Sequence, residues 1–217
     1  MINHKELNVK SVYKDKKSFS ETNIIEDLIF WKERVNIDGK NNNAIFTRPI
    51  NSPNSETQNI TGDQFLIASL FHGYGGQSYK CIKSNNQLFI FWIDQISKSI
   101  WVNNFKFINS AKGKNYSSYL ISNGEPRKLT KSIIGNFDAS FVLIDDKTLF
   151  GLIEIKNADY LFKVDIFKEE QDLNFLKKFD NFAGSLSSNL ENNMLSWIEW
   201  DYPFMPWENN NLFFAQI

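Results

Sequence analysis

A single cysteine, Cys81, excludes an intrachain disulfide and any zinc site built from several thiolates. It falls in a strand-like run, so the expectation is a buried, inert thiol. Histidine is almost as scarce, with only His4 and His72. His4 lies in a polar stretch, and His72 stands beside a glycine turn with no serine or carboxylate that spacing assigns to it. The Gly-x-Ser-x-Gly elbow of α/β-hydrolases is absent, so a catalytic triad within these 217 residues is not expected. Charge of one sign is missing too. The net charge is −1 and the lysines and arginines are scattered, so no nucleic-acid surface is expected. Long apolar runs are lacking, and the first residues, MINHKELNVKSVYKDKK, hold no signal-peptide core. No membrane span is expected, and a cytoplasmic location is the default.

What the chain does have is aromatic side chains, with 20 Phe, 7 Tyr and 6 Trp, a bias that favours sheets. Residues 1–23 read as a lysine-rich arm, in which Val9, Val12, Tyr13 and Phe19 could dock an irregular strand. From 24 to 217 the pattern is that of one domain. Apolar runs at 24–35, 77–83, 87–93, 99–105, 139–144, 148–156 and 160–166 predict strands, separated by polar turns such as Asp38-Gly39, Asn85-Asn86, Asp145-Asp146 and Asn157-Ala158-Asp159. Asn123-Gly124, between 119–122 and 127–130, carries the strongest short hairpin signal. Only 168–179 has a helix-like period. The segment from Trp197 to Phe214 predicts a hairpin with an elaborated turn stiffened by Pro203 and Pro206, on which Trp200 and Trp207 would bury their indoles. The class predicted is all-β.

Four segments superpose as one cassette of turn, apolar strand, turn and apolar strand. They are EDLIFWKERV with NAIFTRP, NNQLFIFWIDQ with KSIWVNN, DKTLFGLIEIK with DYLFKVD, and NNMLSWIEWD with NNLFFAQ, anchored on Leu28, Leu88, Leu149 and Leu195. Propeller blades of roughly 40–50 residues, lengthened by inserted loops, have that spacing. A sandwich also contains hairpins but does not require the cassette to recur. The expected architecture is therefore an incomplete β-propeller of about four blade-like antiparallel sheets.

Candidate site residues each have a structural reading beside the functional one. Gly73-Tyr74-Gly75-Gly76-Gln77-Ser78 resembles a dinucleotide turn but lacks the third glycine and a following helix, so a tight turn with positive φ is the better reading. Asp145-Asp146 between two strands reads as a turn rather than a paired-acid or calcium site. Glu199 and Asp201 beside Trp200 have the composition of a carbohydrate site, yet alternation puts both acids on the face opposite Trp200. No cofactor or metal is expected.

The motif order resembles the N-terminal propeller domain of the prolyl-oligopeptidase family of serine peptidases, particularly acylaminoacyl-peptidase-like bacterial members. Such propellers carry a His-Glu-Tyr-Gly-Gly-Gly-like segment. Here it reads His72-Gly73-Tyr74-Gly75-Gly76-Gln77, departing at the Glu and the last Gly. They also carry a Trp-(Asp/Asn)-His-Pro-(Asn/Asp)-Met-Pro-Trp-Asp segment. Here it is Trp200-Asp201-Tyr202-Pro203-Phe204-Met205-Pro206-Trp207-Glu208, with Tyr202 for His and Phe204 for the next residue. The Phe30-Trp31 run and the 124–130 segment fall where the family has similar pieces, so the resemblance spans most of the chain. It implies a structural role for these motif residues. It also implies a non-catalytic propeller portion that gates or binds peptides, while hydrolysis needs an α/β-hydrolase domain or chain outside these residues. The alternative is a free-standing β-repeat interaction module; a carbohydrate-binding β-protein is a third reading. Open strand edges predict self-association.

Overall fold

The computed structural model describes residues 18–37, 39–52, 54–112, 115–189 and 193–217. Val9, Val12 and Tyr13 of the anticipated arm, His4, and Asp38 of the anticipated turn lie outside the described residues. The strands in chain order are β1 (Phe19–Ile25), β2 (Leu28–Ile37), β3 (Lys40–Pro49), β4 (Gln58–Asn59), β5 (Tyr79–Ser84), β6 (Gln87–Asp94), β7 (Ser99–Lys112), β8 (Asn115–Ser122), β9 (Arg127–Lys128), β10 (Asn136–Ile144), β11 (Thr148–Ile155), β12 (Ala158–Asp165), β13 (Asn174–Lys178), β14 (Phe182–Asn189), β15 (Met194–Trp200) and β16 (Asn211–Gln216). The only helical piece among the described residues is one 3-10 turn, Phe71–Gly73. No helix of these residues is long and apolar enough to cross a membrane.

The fold is all-β, with four antiparallel sheets arranged as propeller blades. Their orders are β1-β2-β3-β4, β5-β6-β7-β8 with β9 on β7, β10-β11-β12-β13, and β14-β15-β16. The four sequence cassettes are the strand pairs β2–β3, β6–β7, β11–β12 and β15–β16, each antiparallel. Neighbouring sheets pack through their first strands, β1 on β5, β5 on β10 and β10 on β14.

Strand alternation decides which side chain meets which sheet. Positions can be counted from the first residue of β2, β6, β11 and β15. Odd positions then meet the following sheet, and even positions meet the preceding one. Leu28 and Phe30 pack with Leu88, Ile90 and Trp92; Phe89, Phe91 and Ile93 with Leu149 and Ile153; and Phe150 and Leu152 with Leu195 and Trp197. The core is therefore three slabs, each a sheet-on-sheet interface, as expected for strands apolar on both faces.

Four expectations are corrected. Residues 19–23 form part of β1, so the polar arm is not continuous to 23. The helix-like stretch 168–179 is extended and ends in β13, because its chain hydrogen-bonds to β12 and leaves its polar side chains exposed. β7 continues past Phe105 to Lys112 and pairs with β8. Asn123-Gly124 does not turn a hairpin, since β8 and β9 both pair with β7. Ser122 opposes Phe105 and Arg127 opposes Val102, so the outer strand carries two extra residues and kinks. Elsewhere Asn85-Asn86 has positive φ at both residues, the conformation of a two-residue type I′ hairpin turn, and Asp145 and Asp146 have positive φ in the three-residue loop between Ile144 and Thr148.

Candidate functional site

The first strands of three sheets are bulged. Register slips by one residue in β1 between Ser20 and Asn23, by one in β14 between Gly184 and Ser187, and by two in β10 between Asp138 and Val142. Bulges re-aim side chains, and here they direct polar groups to where first strands meet. Glu21 accepts from the Ser78 backbone N–H at 2.6 Å and from the Ser78 hydroxyl, and also pairs with Lys32. Asp138 accepts from the Gln77 N–H at 3.0 Å and the Ser140 hydroxyl at 2.5 Å. The Ser140 hydroxyl in turn accepts from the Leu186 N–H of β14 at 3.2 Å.

The connection between the first and second sheets first packs between them, with Phe65 and Ile67 in their shared core, and then runs on to the third and fourth sheets. Its Phe71 lies in the core between the third and fourth sheets. Ser69 anchors the loop there, donating to the Phe137 carbonyl at 2.7 Å and accepting from the Phe71 and Gly76 N–H groups. His72 follows with a left-handed backbone, φ 53°. Its buried ring donates from Nε2–H to Asp159 Oδ2 at 2.7 Å, and that oxygen also accepts the Ala183 N–H at 2.7 Å. Since the carboxylate can only accept, Nε2 carries a proton, and Nδ1 lies 3.4 Å from the Tyr74 hydroxyl. The His72 N–H donates to Glu154 at 3.0 Å. The ring packs edge-on against Trp200 and Phe182 with centroids 5.3 and 5.2 Å away. Spacing assigned His72 no partner; the fold supplies Asp159 from β12.

Beside this anchor lies a cleft of about 240 Å³ between the bulges of β10 and β14. Asp138, Ser140, Gly184 and Ser185 form its walls, and Tyr74, Gly76, Trp200 and Pro206 its rim. Both motifs singled out in the sequence therefore border one space. His72, Tyr74, Gly75, Gly76, Trp200 and Pro206 line it, and Trp207 reaches over Tyr74 with ring centroids 6.4 Å apart. Asp201 instead borders a neighbouring, more polar hollow of about 680 Å³ with Asp159 and Tyr202. Pro203, which follows a cis peptide bond, and Met205 belong to a loop closed on itself by Phe204 N–H to Asp201 and Glu208 N–H to Met205. Trp200 is buried as expected, whereas Trp207 is 72 % exposed, because its loop points its indole at Tyr74 and away from the core.

Gly76 is fixed by contact, since a Cβ there would lie 2.5 Å from Asp138 Oδ1. Burial pushes the Asp138 carboxyl above the ordinary carboxylate range, against the lowering effect of its hydrogen bonds from Ser140 and Gln77 and of nearby His72. Burial also raises the Tyr74 phenol, and Asp159, Asp138 and Glu154 raise it further. Sequence reasoning missed Asp138, Ser140, Asp159 and Glu154. The available signal was Asp138 and Ser140 within the otherwise apolar run NFDASFVLI. Asp145 and Asp146 are turn residues, with Asp145 accepting the Thr148 N–H at 2.9 Å. Glu199 is buried, accepting from the Trp197 indole at 2.7 Å and from Lys177 at 3.0 Å, which commits it to packing.

No protein-family model matches the sequence, and no curated protein matches it either. Among solved structures the chain is similar to a puromycin-hydrolyzing peptidase of Mycobacterium tuberculosis, with a TM-score of 0.69 at 15% identity. That likeness covers 92% of this chain and 30% of the peptidase, so this chain spans about a third of its length. At such identity the likeness shows the fold alone.

Proposed function

We propose that this chain is a non-catalytic propeller portion of a prolyl-oligopeptidase-type serine peptidase. It binds or gates peptides while an α/β-hydrolase unit outside these residues cleaves them. The observation that carries this reading is the convergence of the two family-like motifs, at 72–77 and 200–207, on the cleft between β10 and β14. The structural likeness to a peptidase over 92% of the chain is in keeping with it. The aromatic rim of Tyr74 and Trp200 and the Asp138 carboxyl in the wall suit short peptides with a free amino end or basic side chains. His72 has both ring nitrogens turned to Asp159 and Tyr74, which makes it an anchor for the loop rather than a base for a nucleophile.

Two measurements on the purified chain test the reading. A fluorophosphonate serine probe is expected to leave it unlabelled. Titration with short basic peptides is expected to change Trp200 and Trp207 fluorescence saturably, with affinity falling about tenfold in Tyr74→Ala, a loss of about 1.4 kcal/mol. Labelling would put a nucleophile inside this chain, and an unchanged fluorescence would remove the peptide-binding role.

A further inference from the structure

Among the described residues, two that are not glycine have a left-handed backbone inside a strand, Glu21 in β1 (φ 53°) and Ser185 in β14 (φ 55°). The others with positive φ lie between strands. Glu21 and Ser185 occupy the same place. The bulge of β1 sets Glu21 and Thr22 against Trp31, and the bulge of β14 sets Ser185 and Leu186 against Trp197. The left-handed residue is the first of each pair, the position that glycine fills in bulges of this kind. A side chain kept there costs backbone strain, and strain of this sort collects where a side chain has a task.

β1 shows what the position does. Glu21 reaches the segment that enters β5, and its carboxylate accepts the Ser78 main-chain N–H at 2.6 Å and the Ser78 hydroxyl at 2.8 Å. From the third sheet, Asp138 accepts the Gln77 N–H at 3.0 Å, and the Ala139 N–H donates to the Gln77 carbonyl at 2.8 Å. The Ser78 carbonyl accepts from the Ile93 N–H at 3.0 Å. Every main-chain polar group of Gln77-Ser78 is therefore held, two of them by β10 and one by the bulge of β1.

Ser185 has the backbone geometry of Glu21 without a partner. Its side chain is exposed, makes no hydrogen bond among the described residues, and borders the cleft between β10 and β14. Asp138 and Ser140 in the facing wall are committed to Gln77, to each other and to Leu186. A Cβ at the neighbouring Gly184 would lie 3.2 Å from the Trp200 ring, so the indole packs against the strand beside Ser185. We propose that Ser185 is a ligand-binding residue of this cleft, its hydroxyl accepting one main-chain N–H of a bound peptide as Glu21 accepts that of Ser78. This role rests on peptide binding in the cleft and refines it. A neutral hydroxyl suits an uncharged amide donor. Contact through the main chain tolerates most side chains with one exception. Proline has no N–H to donate, so peptides with proline at the residue facing Ser185 are rejected.

The test is titration of the purified chain with Lys-Ala-Ala-Ala amide, followed by tryptophan fluorescence. Three analogues, each with one backbone amide replaced by an ester that lacks the N–H, are titrated alongside. Ser185→Ala removes the hydroxyl and keeps the strained backbone, whereas Ser185→Gly removes both. Each variant is expected to bind the peptide about fivefold more weakly, the loss of one hydrogen bond. Ser185→Gly is expected to unfold at a urea concentration no lower than the wild type, because glycine relieves the left-handed strain. One ester analogue should lose about fivefold against the wild type and nothing further against either variant, which identifies the N–H that Ser185 receives. Equal peptide binding by the wild type and both variants, or ester losses identical in all three proteins, would overturn the role of Ser185 and leave peptide binding standing. A lower urea midpoint in Ser185→Gly would overturn it too, since the hydroxyl would then serve the fold. No saturable change in the wild type would remove peptide binding in the cleft, and the role of Ser185 with it.

Discussion

Gly151 occupies position four of β11, where β2 and β15 have tryptophan and β6 has Ile90. The third sheet fills that space from its own neighbours: a Cβ at Gly151 would lie 2.6 Å from the Phe162 ring and 2.9 Å from Phe141. Both rings are fully buried, so neither can yield without disturbing the slab between the second and third sheets. Gly151→Ala is therefore expected to cost about 1–3 kcal/mol by overpacking, measured as a lower midpoint in urea. Asp138 poses the opposite problem, a carboxyl held in place but reluctant to ionise. Its raised pKa means the folded state holds its proton more tightly than the unfolded chain. Its contribution is thus fully favourable below the ordinary carboxylate pKa of about 4 and is lost as pH rises through the raised value. In Asp138→Asn the stability difference, wild type minus variant, should decline across this weakly acidic range and then level off. A difference that does not change with pH would count against a raised carboxyl. Cys81 is buried and desolvation pushes its thiol well up, so it should resist a thiol reagent until the chain unfolds.

At the scale of elements, the connection carrying His72 links sheets that its own sequence neighbours do not belong to. Its ring and backbone bind Asp159 and Glu154 of the third sheet, and through Asp159 it is joined to Ala183 of the fourth. His72→Ala leaves the buried Asp159 without its charged or polar ring partner. The expected cost is about 3 kcal/mol, with faster proteolysis between residues 61 and 78 as the readout that separates a loosened connection from general instability. The middle strands of the second and third sheets were legible because both their faces are covered, which writes long apolar runs such as Leu88 to Ile93. β1 and β14 were not, because Phe-Ser-Glu-Thr-Asn and Gly-Ser-Leu-Ser-Ser carry bulges and polar side chains to the place where first strands meet. The motif residues of the cleft were legible as motifs, but its walls were not. Asp138 acquires its meaning only when Gly76, distant in sequence, is brought against it. Asn123-Gly124 misled for a related reason: the same dipeptide suits a kink in an edge strand, and β7 offered a longer partner than β9 could.

For the whole molecule, stability is distributed along a row of sheets, because each slab of core belongs to one pair of neighbours and no cluster is shared by all four sheets. Such a row behaves approximately as a sum of repeats and nearest-neighbour interfaces. Removing the fourth sheet by ending the chain after Asp180 deletes one slab, in which Phe150 and Leu152 lose Leu195 and Trp197. It also removes the Ala183 contact that helps hold the His72 connection. The other two slabs, with Trp92, Phe91, Phe141 and Phe162 at their centres, are untouched. The shortened chain is therefore expected to keep its sheet signature in circular dichroism and to unfold with a urea m-value lower by roughly a quarter, in line with the surface no longer buried. It should also bind a hydrophobic dye at the newly open face. Complete loss of structure would mean that the connection from the first two sheets into the third-to-fourth slab couples the row into one cooperative unit. The anchoring of Phe71 and His72, rather than the slabs, would then set the stability of the fold.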